Sequence, residues 1–148
     1  MRPTQLAQSG WTVQSLSQNV QTWLNAATVA PSFVLINIGA NDTATSQANF
    51  ELYLADVLDK VHAKWPSTTI LVWKIWRRDA EAQMNLIDDT YIPNVLASRP
   101  WATSPSELDE RIYLKGSDNG ASETTDGIHP TTLGFQLWAA AAKAAMGY

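Results

Sequence analysis

The stretch Phe33-Val34-Leu35-Ile36-Asn37-Ile38, followed at once by Gly39-Ala40-Asn41-Asp42, decides the fold of this chain. A continuous apolar run that ends at a glycine is typical of a strand buried on both faces of a parallel sheet. Asn41 then lies just past the carboxyl end of that strand. Because ligands of open parallel sheets bind outside the carboxyl ends of the strands, the side-chain amide of Asn41 is placed to contact one.

Helical and strand patterns alternate along the rest of the chain. Apolar spacings of three and four predict helices over 13–24, 50–65, 80–96 and 131–146. Branched and aromatic residues predict further strands over 69–76 and 111–114, and a polar loop covers 116–127. This alternation predicts a single α/β domain over 1–148 with a parallel sheet.

Size, charge and cysteine content narrow the function classes. A chain of 148 residues with 45% apolar content is expected to be one globular domain. A net charge of −4 gives no electrostatic reason to expect nucleic acid or an anionic membrane as a partner. The apolar runs are far shorter than the ~20 residues that span a bilayer, and the first residues, 1–5, do not resemble a signal peptide. The absence of cysteine excludes disulfides, thiolate zinc sites and a cysteine nucleophile.

A second polar motif, Asp126-Gly127-Ile128-His129-Pro130, precedes the last predicted helix. A histidine held by a nearby carboxylate can act as a general base, and Asp126 is close enough in sequence to fix the imidazole tautomer. Asn41 can donate a hydrogen bond to an oxygen that becomes negative during acyl transfer, which is typically worth about 3 kcal/mol. Both motifs are expected at the same edge of the sheet.

Together these residues resemble the SGNH or GDSL hydrolase family, whose members have a flavodoxin-like, three-layer α/β/α fold and cleave esters. Gly39–Asp42 is similar to the family's Gly-x-Asn-Asp block, and Asp126–His129 to its Asp-x-x-His block. Ser9-Gly10-Trp11 stands where the glycine block is expected. The resemblance implies that Gly10 (backbone N–H) and Asn41 (amide) form the oxyanion hole and that His129 is the base, oriented by Asp126.

The resemblance also implies a substrate class. It points to a small ester with a short acyl group, including O-acyl esters of carbohydrates, and to no metal or organic cofactor. Either motif taken alone could be an ordinary turn followed by a surface histidine. Their joint occurrence, in the family's order and each before the expected element, favours the hydrolase interpretation.

The family's serine block, Gly-Asp-Ser after a first strand, has no counterpart, because only nine residues precede Gly10. Three explanations stay open. The chain is truncated at its N-terminus relative to the family, or its sheet is completed by another chain or a homo-oligomer, or it is a short variant whose sheet closes without the first strand and which cannot hydrolyse esters by the usual route. Ser9 is the one candidate for a substitute nucleophile, although a structural role is favoured. The alternative function is a non-catalytic domain that binds a small molecule or a sugar.

Two further groups are predicted to be structural. Asp88 and Asp89 have no histidine near them in sequence, so they are expected on a helix surface and not in a metal site. His62 lies among polar neighbours in the second helix and is expected to be solvated.

Overall fold

The apolar runs of the sequence form three parallel strands between helices. The computed structural model describes residue 6, residues 8–112 and residues 129–148. The main elements in chain order are α1 (Val13–Ala26), β1 (Phe33–Ile36), α2 (Gln47–Lys64), β2 (Thr69–Val72), α3 (Glu81–Leu86), α4 (Ile92–Leu96), β3 (Ala102–Thr103) and α5 (Thr132–Ala145). A π-helical turn, Ile87–Tyr91, joins α3 to α4, and 3₁₀ turns cover Arg78–Ala80 and Glu110–Ile112.

The strands form one parallel sheet in the order β1-β2-β3. Phe33 pairs with Thr69 and Ile36 with Val72, while Ile70 pairs with Ala102. Within the described part of the chain, β1 is therefore an edge strand, because it has a neighbour on one side alone.

Helices cover both faces of this sheet, as the α/β/α prediction requires. Val20 and Leu24 of α1 and Phe50 of α2 belong to the core cluster that contains Ile70 and Val72 of β2. On the opposite face, Leu71 and Trp73 pack with Leu108 against α5, whose contributing residues are Trp138, Ala141, Ala142 and Ala145. Because side chains of a strand alternate between faces, β2 serves both cores and separates the two helical layers.

Hydroxyl side chains begin the three long helices. Thr12 caps α1 by accepting from the backbone N–H of Ser15, and Ser46 caps α2 in the same way. Thr131 caps α5 by accepting from Gly134. Each cap satisfies a backbone donor that the helix itself leaves without a partner, typically stabilising the helix by about 1 kcal/mol.

Several sequence predictions need correction. The two predicted strands over 33–38 and 69–76 end earlier, at Ile36 and Val72. The strand expected over 111–114 is wrong, because Glu110–Ile112 forms a 3₁₀ turn; the rest of that stretch and the loop 116–127 lie outside the described residues. The short strand β3 was not predicted, since a strand of two residues is too short to show an alternation of apolar and polar side chains.

Burial of β1 on both faces is also not observed. Ile36 is the one strand residue that is buried, and the side chain of Leu35 remains 39% exposed. The physical reason is the open edge, since no described strand lies beyond β1 to cover it.

Candidate active site

The turn after β1 begins with a glycine that cannot be replaced without strain. Gly39 has φ +124°, and a Cβ atom placed on it would lie 2.7 Å from Cδ1 of Ile75. The backbone N–H of Asp42 donates to the carbonyl oxygen of Gly39 at 2.8 Å and closes the turn. Both the left-handed backbone and the close approach of Ile75 therefore require glycine, and the turn presents Asn41 on its exposed side.

A second tight turn lies just before α1. The N–H of Trp11 donates to the carbonyl of Gln8 at 3.4 Å, with Ser9 and Gly10 at the two central positions. Gly10 has φ +80°, the value that the third residue of a type II turn needs. Ser9 is exposed in this turn.

One hydrogen bond brings the two turns together. Nδ2 of Asn41 donates to the carbonyl oxygen of Trp11 at 3.1 Å, across 30 residues of sequence. An amide has two N–H groups, so the second can still donate to another acceptor. Gly10 is the direct neighbour of Trp11, and the two predicted oxyanion donors therefore lie on adjoining turns.

Arg77 orients the Asn41 amide from the other side, a role that the sequence did not predict. Its guanidinium donates to the carbonyl of Ala40 at 3.0 Å and to Oδ1 of Asn41 at 3.4 Å, and it is paired with Asp79. Because the oxygen of the amide faces Arg77, its nitrogen faces Trp11. A basic residue shortly after the second strand is the only sequence signal for this role.

Asp42, the last residue of the Gly-x-Asn-Asp turn, points inward and is fully buried. Its carboxylate accepts from the N–H of Val13 at 2.9 Å and from the hydroxyl of Thr45 at 2.8 Å. Burial raises the pKa of Asp42, while the bonds from Val13 and Thr45 lower it. Its role is to hold the start of α1 against the turn.

His129 lies at the start of α5, and its side chain is exposed. The rings of Trp73 and Trp138 are 5.6 Å apart, whereas those of Phe33 and Tyr148 are 6.4 Å apart. Since Trp73 follows the carboxyl end of β2 and Phe33 begins β1, α5 runs antiparallel to the strands. The residue before its N-cap, Pro130, and His129 are thus directed to the same edge of the sheet as Asn41. Asp126 lies outside the described residues.

A buried acidic group lies beneath this edge. The two carboxylate oxygens of Glu110 accept from the side-chain amide of Asn37 at 3.0 Å and from the N–H of Trp76 at 2.9 Å. Asp88 accepts from the N–H of Ile75 at 3.1 Å, and its second oxygen lies 3.7 Å from Nε of Arg111. Burial raises the pKa of Glu110 to about 7 and that of Asp88 to about 8.

These contacts correct two predictions. Asp88 is buried and not on a helix surface, because the π-helical turn directs it inward. His62 is half-buried and stacks on Trp101 with ring centroids 4.1 Å apart, so it is not simply solvated.

Among the described residues, no group of three or more histidine, aspartate or glutamate side chains could hold a metal ion. No helix in the described part is long and apolar enough to cross a bilayer.

A parallel α/β/α sheet with a Gly-x-Asn-Asp turn at its carboxyl edge is the architecture of SGNH-type hydrolases. The chain belongs to the GDSL-like Lipase/Acylhydrolase family, whose sequence profile matches residues 2–137. No curated protein sequence matches the chain significantly.

Solved structures share the fold at low sequence identity. A carbohydrate esterase family 3 enzyme from Talaromyces cellulolyticus superposes with a TM-score of 0.72 at 19% identity, over 93% of this chain and 67% of that one. A mutant acetyl esterase with an acetate ion superposes with a TM-score of 0.71 at 20% identity, over 93% of this chain and 67% of that one. A family 3 carbohydrate esterase from Clostridium thermocellum superposes with a TM-score of 0.66 at 20% identity, over 92% of this chain and 65% of that one. The chain thus spans about two thirds of the length of these structures.

Proposed function

We propose that this chain carries the base and the oxyanion hole of a serine ester hydrolase that acts on short-acyl esters, including O-acyl groups of carbohydrates. His129 is the general base and Asp126 orients its ring. The backbone N–H of Gly10 and the side-chain amide of Asn41 donate to the oxyanion. Membership of the GDSL-like family supports ester hydrolysis as the reaction class.

The observation that carries the proposal is the hydrogen bond between Asn41 and the carbonyl of Trp11. This bond joins the turn of Asn41 to the residue after Gly10, which supports a common role for two proposed donors that are far apart in sequence. Donors that are oriented before the reaction stabilise a developing negative charge without reorganisation, which is the largest contribution in many acyl-transfer enzymes. The orientation of α5 supports His129 as the base, because it directs that residue toward the same edge.

The reaction would follow the order common to serine esterases. A serine hydroxyl loses its proton to the imidazole as its oxygen bonds to the ester carbon, and the carbonyl oxygen becomes the oxyanion. The imidazolium then protonates the leaving alkoxide. In the second half of the reaction the imidazole takes a proton from water as the water oxygen bonds to the acyl carbon, and that proton returns to the serine oxygen as the acid is released. No Gly-Asp-Ser sequence occurs in the 148 residues, so within this chain Ser9 is the candidate nucleophile.

The names of the similar structures support the proposal of a short acyl group. Two of them are described as family 3 carbohydrate esterases and one as an acetyl esterase that contains an acetate ion. Their shared fold supports an acetyl or similar small acyl group on an alcohol or sugar as the first substrate class to examine.

Labelling with a fluorophosphonate, which modifies activated serines, tests the proposal together with hydrolysis of an acetyl ester. The chain contains two histidines, so His62→Ala is the matched control for His129→Ala. We expect a single adduct on the intact mass, and loss of both adduct and turnover in His129→Ala by about 10²–10⁴-fold. Peptide mapping in parallel with Ser9→Ala identifies the serine. Equal activity in the two histidine variants would show that the proposed base is wrong.

The second candidate function is binding of a small molecule or a sugar without turnover. In that case an acetylated oligosaccharide binds to the folded chain, no adduct forms, and His129→Ala leaves the dissociation constant unchanged. Calorimetry with the same two histidine variants separates this outcome from hydrolysis.

A further inference from the structure

We propose that Glu110 is a positioning residue for the turn that presents Asn41. Its buried carboxylate joins the two chain segments that leave the sheet at the carboxyl ends of β1 and β2. This role of Glu110 rests on the oxyanion function proposed for Asn41, but its main test is spectroscopic and needs no turnover.

The two segments separate where the sheet ends. The last backbone hydrogen bond between them runs from the N–H of Trp73 to the carbonyl of Ile36, at 2.8 Å. Beyond this point, in the described part of the chain, no backbone hydrogen bond joins 37–42 to 74–77. Side chains therefore fix the distance between the Asn41 turn and the continuation of β2.

Glu110 spans this gap with one carboxylate oxygen on each side. Oε1 accepts from Nδ2 of Asn37 at 3.0 Å, across 73 residues of sequence, and Oε2 accepts from the N–H of Trp76 at 2.9 Å. The backbone of Glu110 is anchored as well, because its own N–H donates to the carbonyl of Lys74 at 3.1 Å. A carboxylate fixed in this way holds Asn37 and Trp76 at one separation.

Arg77 closes a ring on the outer side of the gap. Its guanidinium donates to the carbonyl of Ala40 at 3.0 Å and to Oδ1 of Asn41 at 3.4 Å. The ring runs from Glu110 through residues 37–40, crosses to Arg77 and returns along the chain to the carboxylate. Asn41 is the next residue after the ring, so its amide takes its orientation from this closed path. A break at either side chain is expected to release the same turn.

The burial of Glu110 favours positioning over stability as its role. The residue is 4% exposed, and desolvation raises the pKa of its carboxyl to about 7. Buried ionisable groups are costly, and apolar residues of similar volume often stabilise a fold equally well or better. Both oxygens accept from protein donors beneath the edge, so the carboxyl acts through Asn41 and does not contact substrate.

Glu110→Gln tests the ring on the full chain by NMR. The glutamine oxygen can accept from the buried N–H of Trp76, but its amide nitrogen then faces the Asn37 amide as donor against donor. Because Asn37 is exposed, its amide can turn to water, and the ring opens with little loss of global stability. We expect the side-chain amide resonances of Asn41 to shift. Hydrogen exchange at the N–H of Asp42, which closes the turn, should become about tenfold faster.

Three comparisons locate the effect. The N–H of Leu58, within α2, reports global opening in the same sample and should change by less than about twofold. Glu107→Gln alters an exposed neighbour in the same segment and should leave both turn signals unchanged. Asn37→Ala opens the ring from its exposed side and should repeat the effect of Glu110→Gln. It also decides the question if the buried substitution prevents folding.

A double-mutant cycle with Arg77→Met tests whether the ring acts as a unit. Each single variant opens the ring, so exchange at Asp42 in the double variant should be within about twofold of the faster single variant. In any form of the chain that turns over an acetyl ester, Glu110→Gln should lower kcat by about fivefold with KM unchanged.

Unchanged Asn41 resonances in Glu110→Gln would overturn the positioning role. Equal acceleration at Asp42 and Leu58 would do the same, since it marks a residue that only stabilises the fold. Effects of Glu110→Gln and Arg77→Met that multiply in the double variant would show that the two side chains act separately, against the ring. The expected NMR changes in a chain without turnover would support the role of Glu110 and count against hydrolysis alone.

Discussion

Oδ2 of Asp42 accepts a hydrogen bond from the backbone N–H of Val13 at 2.9 Å, across 29 residues of sequence. Val13 is the first residue of α1 and Asp42 ends the Gly-x-Asn-Asp turn. The bond therefore fixes the helix that follows Gly10 against the turn that carries Asn41. The spacing of the proposed oxyanion donors depends on a side chain that is wholly buried.

Replacing Asp42 should destabilise the fold through this contact. In Asp42→Ala the N–H of Val13 stays buried without an acceptor, so we expect the free energy of unfolding to fall by about 1–3 kcal/mol in urea denaturation. Asp59→Ala is the control, because Asp59 forms an exposed ion pair with Arg99 and should cost under about 1 kcal/mol. Equal losses in the two variants would contradict the role given to Asp42.

The two turn glycines should differ in their tolerance of a methyl group. Gly39→Ala adds strain at φ +124° and a clash with Ile75, and should cost about 2 kcal/mol or more. Gly10→Ala meets no atom within 4 Å and should cost about 1–2 kcal/mol, from the backbone alone.

A double-mutant cycle with Ile75→Val isolates the clash. This change removes Cδ1, the atom nearest to a Cβ at position 39. The double variant should therefore lose less stability in chemical denaturation than the two single losses added together, by at least about 0.5 kcal/mol. Simple additivity would mean that Ile75 does not restrict Gly39.

Asn41 should matter for turnover far more than for stability. It is exposed and its amide donates one described hydrogen bond, so Asn41→Ala should change the free energy of unfolding by about 1 kcal/mol or less. In any form of the chain that turns over an acetyl ester, kcat should fall by about 10²–10³-fold.

Arg77→Met tests the positioning of the same amide. It removes the contact with Oδ1 of Asn41 and should lower kcat by a smaller factor, about tenfold, with KM unchanged. A rise in KM at constant kcat would instead mean that Arg77 binds substrate directly.

Stability should fall as the pH rises from about 4 to about 8. In the unfolded chain Glu110 and Asp88 ionise near pH 4, whereas burial raises their folded pKa to about 7 and about 8. The folded state therefore binds more protons in this window, and the free energy of unfolding decreases with pH by up to ~1.4 kcal/mol per unit for each group.

Glu110→Gln should flatten the part of this dependence below about pH 7, as measured by urea denaturation at a series of pH values. Glu107→Gln changes an exposed neighbour in the same segment and serves as the control. A wild-type chain whose stability rises between pH 5 and pH 8 would show that these carboxyls are ionised in the folded state.

Elements with a strong periodicity of apolar residues could be predicted from the sequence, whereas the irregular elements could not. The helices around Leu24, Leu54 and Trp138 were predicted within about three residues at each end, because their apolar stripes and hydroxyl caps are local signals. β3 and the 3₁₀ turn at Glu110 are set by tertiary contacts, such as the bond from Trp76, and leave no local pattern.

The candidate site divides in the same way. The tight turn at Gly39 after the first strand could be predicted, because an apolar run that ends at a glycine is a local signal. The catalytic roles of Asn41 and His129 stay predictions. The inward direction of Asp42 and the contact between Arg77 and Asn41 could not, since both depend on how the turn meets α1 and β2.

The π-helical turn Ile87–Tyr91 changes the direction in which the side chains of α4 point about the helix axis. Its wider hydrogen-bonding ring accommodates one residue more than an α-helical turn, and each α-helical residue rotates the chain by ~100°. A regular helix of the same sequence would therefore turn Ile92 and Val95 away from the core that they now occupy. The one additional residue of the π-helical turn thus determines which face of α4 packs against the core.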